Sequence, residues 1–214
     1  LKIIFILFFC INITNVYASS IKNSAVVFMY HKFGISKYPS TNVTIKQLNL
    51  HVSEFSQEKY NVKSLDFILD TIINDGQLPN NTIGISVDDA DRSFLTTAWP
   101  KFKEKNLPVT LFVNTSTIIK NNKNYLNWDE IRQLKSEGVI IGAHSHSHYH
   151  MPDLSIEEIK NEIEISNKIF LKELGLIPTL FAYPYGEADE RIIELLKKYK
   201  FKVAFGQHSG GINE

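Results

Sequence analysis

Two adjacent acidic residues and a later cluster of histidines are the features of this 214-residue sequence that could carry chemistry. Asp88 and Asp89 end an apolar run that starts at Ile83, and residues 144–148 read His-Ser-His-Ser-His. A carboxylate and two imidazoles are ligands that divalent metals accept, and three protein ligands leave a tetrahedral ion one position for water. The second carboxylate could then move a proton. The pattern predicts a metal-dependent hydrolytic site.

Four predicted strand ends bring ionisable or turn-forming residues to one rim of the fold. His31 ends the first predicted strand, Asp88 and Asp89 follow the next apolar strand, and His144 and the turn 183–186 follow two later ones. In parallel α/β folds, residues just beyond the carboxyl ends of the strands line the active face. These residues are therefore expected to converge.

The elements that must position them alternate along the chain. Continuous apolar runs indicate parallel strands covered on both faces, at residues 25–30, 83–87, 109–113, 139–143, 180–182 and 203–205, with a weaker candidate at 60–62. Helical patterns cover residues 64–73, 128–137, 155–174 and 188–199. About seven such units predict an α/β barrel of parallel strands ringed by helices, with an open doubly wound sheet as the alternative.

The N-terminal segment predicts export. Lys2 precedes an apolar run at residues 3–11, and Ala18 ends a small-residue cleavage pattern. Residues 1–18 are therefore expected to be a secretory signal whose removal leaves no stable membrane span, with the mature chain periplasmic or secreted. Cys10, the one cysteine, lies inside this signal, so the mature chain is expected to contain no disulfide.

Charge narrows the range of partners. Twenty-three acidic and 23 basic residues are interspersed and give a net charge of zero. Because the sequence has no basic stripe and no nucleic-acid-binding motif, nucleic acid is not expected as a partner. Nothing in the sequence indicates an oligomeric state.

Three motifs together resemble the polysaccharide deacetylase (NodB-homology) family. They are Ser-Val-Asp-Asp at residues 86–89, His-Ser-His-Ser-His at 144–148 and Phe-Ala-Tyr-Pro-Tyr-Gly at 181–186. The resemblance covers residues 25–211, the predicted deacetylase domain. It implies a distorted (β/α) barrel that removes acetyl groups from sugars with a divalent metal. Zinc is expected first, with Ni²⁺, Co²⁺ or Fe²⁺ as alternatives.

The resemblance also implies a role for each motif residue. Asp89, His144 and His148 would bind the metal, and Asp88 would be the general base. The backbone N–H of Tyr185 would stabilise the oxyanion, and Ser145 would brace the histidine loop.

The sequence departs from the family pattern at two places. Ala182 occupies the position where an arginine usually pairs with the catalytic base, and the usual late histidine acid is missing. However, the first strand and His31 resemble the circularly permuted poly-N-acetylglucosamine deacetylases, in which a histidine on this strand protonates the leaving amine. His31 is therefore the expected acid. If the chain is instead truncated, His31 only supports the site.

The sequence leaves alternatives for the residues that contact the substrate and for the reaction itself. Tyr183 and Tyr185 are candidates to stack on a sugar ring, and His208 is a candidate to line the cleft. The expected substrate is an N-acetylhexosamine polysaccharide. An O-acetyl esterase acting on a decorated glycan would use the same groups, and a non-catalytic glycan-binding module is the alternative from another class.

Overall fold

A computed structural model describes residues 23–120, 122–208 and 210–212. Its main sheet contains seven parallel strands, which are β1 Ala25–Tyr30, β4 Asn61–Val62, β5 Thr82–Val87, β6 Thr110–Val113, β7 Ile140–Ala143, β8 Leu180–Ala182 and β9 Val203–Phe205. The strand order is β1-β5-β6-β7-β8-β9, with β4 beside the start of β5. The short β2 Lys32–Phe33 and β3 Asn42–Val43 pair separately. The predicted signal at residues 1–18 lies outside the described residues.

Helices surround this sheet. They are α1 Ile45–Phe55, α2 Leu65–Ile73, α3 Trp99–Glu104, α4 Thr115–Ile119, α5 Trp128–Ser136, α6 Ile156–Leu174 and α7 Glu190–Lys198. Local chemistry explains several of their ends. Ser155 and Glu158 form the predicted capping box of α6, and Gly175 ends that helix with φ of 69°. None of the helices in the described part of the chain is long and apolar enough to cross a membrane.

The sheet curls into a half-barrel, which confirms the barrel prediction over the open doubly wound alternative. β5 is buried along its whole length, as expected for a central parallel strand. β1 and β9 are the two edge strands, and the chain after β9 returns to β1 through an antiparallel pair between Ala25 and Ile212. Between β9 and this pair, Gln207 lines a cleft with Met29, Tyr30 and His31 at the carboxyl end of β1.

The predicted strands agree with the structure to within one residue, and the predicted helices to within two. Sequence analysis gave no bounds for α1, although it placed His51 on an amphipathic helix, and it missed α3, α4, β2 and β3. α1 has a clear start signal, because Thr44 and Gln47 form a capping box. α3 continues from a π-helical turn at Phe94–Ala98, whose spacing obscures the helical period.

Candidate active site

Asp88 and Asp89 occupy the turn directly after β5. The Asp88 N–H donates to the Tyr30 carbonyl at 2.8 Å, which joins this turn to the end of β1. Asp89 and Ala90 then adopt positive φ values of 71° and 56°. Non-glycine residues rarely adopt this conformation, and it is found where a fold holds functional groups in a fixed direction. The turn keeps both carboxylates at the carboxyl edge of the sheet.

Asp89, His144 and His148 come together as the sequence predicts. The Asp89 Oδ1 atom lies 3.6 Å from His144 Nε2 and 3.4 Å from His148 Nε2, and the two Nε2 atoms are 3.1 Å apart. Ligands at Zn–N and Zn–O bond lengths of ~2.0–2.1 Å around a tetrahedral ion lie about 3.3 Å from one another. One carboxylate oxygen and two imidazole nitrogens at these separations fit a divalent metal.

His144 is oriented by the third motif. It is buried, and its Nδ1 lies 2.8 Å from the Ala182 carbonyl oxygen. Because a carbonyl can only accept, Nδ1 carries the proton and Nε2 presents a lone pair to the other two ligands. Burial lowers the pKa of His144 to about 4, which keeps the ring neutral as metal binding requires.

The loop that carries His148 is held by two buried side chains. Ser145 Oγ accepts from the His148 N–H at 3.0 Å, which confirms the predicted bracing role of Ser145. Glu162 of α6, which sequence analysis missed, accepts from the backbone N–H groups of His146 and Ser147 at 3.0 and 2.6 Å. Ser145 and His148 themselves have positive φ, so these bonds fix an otherwise unfavourable loop.

Asp88 directly precedes the candidate ligand Asp89 and is buried, and its Oδ1 has no hydrogen-bond partner among the described residues. Burial, and then the charge of Asp89, raise the pKa of Asp88 well above its ordinary value. A buried carboxylate oxygen without a partner is costly. Such an oxygen fits a group that awaits a water molecule or a substrate.

His31 and Tyr185 lie in one cleft of ≈390 Å³ with Asp89 and His148. Burial lowers the pKa of His31, while Asp89 opposes this shift. Tyr185 has a φ of 58°, and its N–H donates to no described residue. Its ring packs edge-on against His148 at 4.6 Å and stacks on His150 at 3.8 Å. The cleft thus contains the predicted acid and the predicted oxyanion donor.

Tyr183 and His208 line a second cavity of ≈730 Å³, together with Asp88. Met29 and Gln207 line both this cavity and the cleft of His31, so the two adjoin. Tyr183 is 9% exposed and packs against Phe181 in the core, whereas Tyr185 is 47% exposed. The contact of each residue with a sugar stays a prediction.

Two further polar residues approach Asp89, and sequence analysis missed both. Asn114 Nδ2 donates to Asp89 Oδ1 at 3.4 Å, and Lys32 Nζ lies 4.0 Å from Asp89 Oδ2. Asn114 directly follows β6, so the strand-end rule could have found it. Lys32 brings a cation near the carboxylate pair, where Ala182 replaces the usual arginine.

Comparison with known proteins decides the family. The family described as "Polysaccharide deacetylase" matches residues 75–204, more than half of the chain. The chain belongs to this family. Its members are hydrolases that act on the N-acetyl amide bonds of polysaccharides.

Individual relatives extend the match beyond the family region. The chain is 21% identical to the Bacillus subtilis protein YxkH over 184 residues, which cover 86% of this chain and 64% of YxkH. It is 23% identical to the poly-β-1,6-N-acetyl-D-glucosamine N-deacetylase of Staphylococcus aureus strain MRSA252, over 86% of this chain and 72% of that one. The chain therefore spans less than two thirds of the YxkH length.

A solved structure shows the same fold. The Streptococcus pyogenes deacetylase PplD, in complex with acetate, superposes with a TM-score of 0.83 at 17% identity. The match covers 90% of this chain and 87% of PplD. The polysaccharide deacetylase fold therefore extends over nearly all of the described residues.

Proposed function

We propose that this chain is an exported, metal-dependent deacetylase that hydrolyses the N-acetyl groups of an N-acetylhexosamine polysaccharide. The observation that carries the proposal is the cluster of Asp89, His144 and His148, whose ligand atoms lie at tetrahedral separations. Family membership and the named activity of the staphylococcal relative support the choice of an N-acetylated sugar polymer. Export follows from the signal pattern in residues 1–18.

The three ligands are suited to a divalent cation, with zinc the first choice for a site of one carboxylate and two imidazoles. A cation held there would lower the pKa of a water molecule, polarise the acetyl carbonyl and favour the ionised form of Asp88. The Ala182 carbonyl fixes the His144 tautomer, and Asn114 fixes the Asp89 carboxylate. These contacts prepare the ligand set before the cation arrives.

Asp88 is proposed as the general base. Its unpartnered oxygen would accept the proton of the water that attacks the acetyl carbonyl carbon. The Tyr185 N–H, which donates to no described residue, would donate to the developing oxyanion. His31, in the same cleft as Asp89 and Tyr185, would protonate the sugar nitrogen as the C–N bond breaks. The products are acetate and a free amine.

Purified protein loaded with zinc tests the proposal. Acetylated chito-oligosaccharide is expected to yield acetate and free amine in equal amounts, because both come from one C–N bond. Acetylated xylan serves as the O-acetyl control and is expected to yield little acetate. If acetylated xylan yields acetate and the chito-oligosaccharide yields no amine, the protein is an O-acetyl esterase and not an N-deacetylase. Binding of either glycan without turnover would favour the binding module.

A further inference from the structure

Lys32 is a buried cation whose donors are unused. It lies in β2 directly after His31 and is 9% exposed. Its Nζ lies 4.0 Å from Asp89 Oδ2, which is too far for a hydrogen bond, and it donates to none of the described residues. An ammonium group carries three donors, and those of Lys32 face a cleft that this residue lines. The position of Lys32 therefore suits a ligand that brings acceptor atoms.

A separate cleft of ≈540 Å³ is lined by Lys32. This volume is in the usual range for a small-molecule site, which is about 300–1,000 Å³. Asp91, two residues after Asp89, lines the cleft. Tyr38 and Tyr125 contribute aromatic rings to it. Lys32 lines this cleft and its Nζ lies 4.0 Å from Asp89 Oδ2, so the cleft adjoins the candidate metal ligand Asp89.

Positive charge dominates the lining of this cleft. Lys32, Lys37, Arg92 and Lys123 contribute four cations, against the single carboxylate of Asp91. Arg92 is already neutralised by an ion pair with Glu130. Lys37 and Lys123, in contrast, form no ion pair within the described part of the chain, and Asp91 accepts from Ser93. Set against the carboxylates of Asp89 and Asp91, the three lysines still leave the cleft with a net positive charge, whose field a concave surface concentrates.

The aromatic rings add a second feature. The Tyr38 ring is 42% exposed and lies 5.2 Å from Lys32 Nζ and 5.5 Å from Lys37 Nζ. Two ammonium groups therefore lie beside one accessible aromatic ring. A tyrosine ring next to hydrogen-bond donors suits a sugar, which offers C–H groups and oxygen acceptors together.

We infer that this cleft binds the sugar next to the one being deacetylated, and that it selects a sugar with an anionic substituent, either carboxylate or phosphate. The inference rests on the proposed function, which places the acetylated sugar at the metal cluster. A chemical consequence follows for the product. Hydrolysis of an N-acetyl group leaves an amine that is positively charged when protonated, so the lysines would repel a neighbouring sugar that has already been deacetylated.

Matched disaccharides test the selection. The substrates are N-acetylglucosamine linked β-1,4 to N-acetylmuramic acid, the same disaccharide with its lactyl carboxylate amidated, and diacetylchitobiose carrying a phosphate on its second sugar. The first and second differ in charge but hardly in shape. Zinc-loaded wild-type protein is expected to show a kcat/KM at least about tenfold higher for the acid than for the amide, because charge-assisted hydrogen bonds are stronger than neutral ones. A phosphate preference above that of the acid would support the cleft and identify phosphate as the anion.

Variants locate the effect. Lys123→Gln and the double variant Lys37→Gln/Lys123→Gln are expected to lower the acid-to-amide ratio severalfold, and Lys32→Gln to lower it further. Lys172→Gln is the control. Lys172 is 80% exposed and lies in the last turn of α6, far along that helix from Glu162 and the histidine loop. The same ratio loss in Lys172→Gln would overturn the inference, because net charge alone would then explain it.

Binding without turnover separates this inference from the proposed function. Calorimetry with the Asp88→Asn variant measures the Kd of acid and amide directly, and zinc content checks that Lys32→Gln has not lost its metal. Tighter binding of the acid without amine release in the wild type would refute the deacetylase and keep the anionic cleft. Equal Kd and equal kcat/KM for acid and amide, with normal amine release, would overturn the cleft and keep the deacetylase.

Discussion

Glu162 holds the histidine loop through two backbone bonds, and its replacement tests how that loop is maintained. The Oε2 atom accepts from His146 N–H at 3.0 Å and from Ser147 N–H at 2.6 Å, and the residue is 7% exposed. In Glu162→Leu both N–H groups lose their acceptor, and an orphaned N–H costs about 1–3 kcal/mol when it is buried. Because His146 and Ser147 are only half-buried, the lower part of this range applies to each, and we expect Glu162→Leu to lower the free energy of unfolding by roughly 2–3 kcal/mol.

The variant Glu162→Gln keeps the size of the side chain but removes its charge, so it tests how much the charge contributes to holding the loop. The glutamine oxygen can take the place of Oε2, so both bonds persist as neutral ones that are about 1 kcal/mol weaker each. Burying a neutral amide also costs less than burying a carboxylate, which offsets part of the loss. We expect a destabilisation of roughly 1–2 kcal/mol, with a zinc affinity lowered about tenfold because His148 is less firmly placed.

Urea denaturation of the metal-free protein measures the stability change, and a competitive chelator titration measures zinc affinity. Glu157→Leu on the same helix is the matched control. Its carboxylate is 71% exposed and forms only a surface ion pair with Lys160, so its loss should change stability by less than about 1 kcal/mol. Equal destabilisation by Glu162→Leu and Glu157→Leu would refute the bracing argument.

Three further results are expected. His148→Ala should lower zinc affinity and turnover together, as measured by chelator titration and amine release, because it removes one of three ligands; unchanged affinity would exclude His148 as a ligand. Asp88→Asn should retain zinc at wild-type content but lose about 10²–10⁴-fold in kcat, the usual contribution of a general base; wild-type kcat would remove Asp88 from that role. Removing zinc by dialysis against a chelator should abolish amine release and lower the Tm, and added zinc should restore both; turnover in metal-stripped protein would exclude a metal mechanism.

Local signals explain why most elements were predictable. β5 and β6 are continuous apolar runs, and α6 begins at a capping box and ends at a glycine, so each boundary depends on residues close in sequence. The strand-end rule then groups Asp89, His144 and His148 without any knowledge of loop conformation, because parallel strands share one carboxyl edge.

The supporting residues were not predictable in the same way. Glu162 lies in the middle of α6, 16 residues from His146, and only the packing of that helix under the histidine loop gives its carboxylate a role. Lys32 looks like an ordinary surface lysine until the short pairing of β2 with β3 buries it. Both depend on contacts between segments whose relative placement no local pattern encodes.

The backbone of the site shows how the fold fixes the ligand geometry. Among the described residues, ten non-glycine residues have positive φ, and five of them are Asp89, Ala90, Ser145, His148 and Tyr185. Each costs on the order of 1–3 kcal/mol, so the loops would relax if nothing opposed them. The opposing contacts are hydrogen bonds from the carboxyl edge of the sheet and from α6, such as Asp88 N–H to the Tyr30 carbonyl and the Glu162 bonds. None of these contacts uses a candidate ligand atom, so the protein's own hydrogen bonds oppose relaxation of the loops.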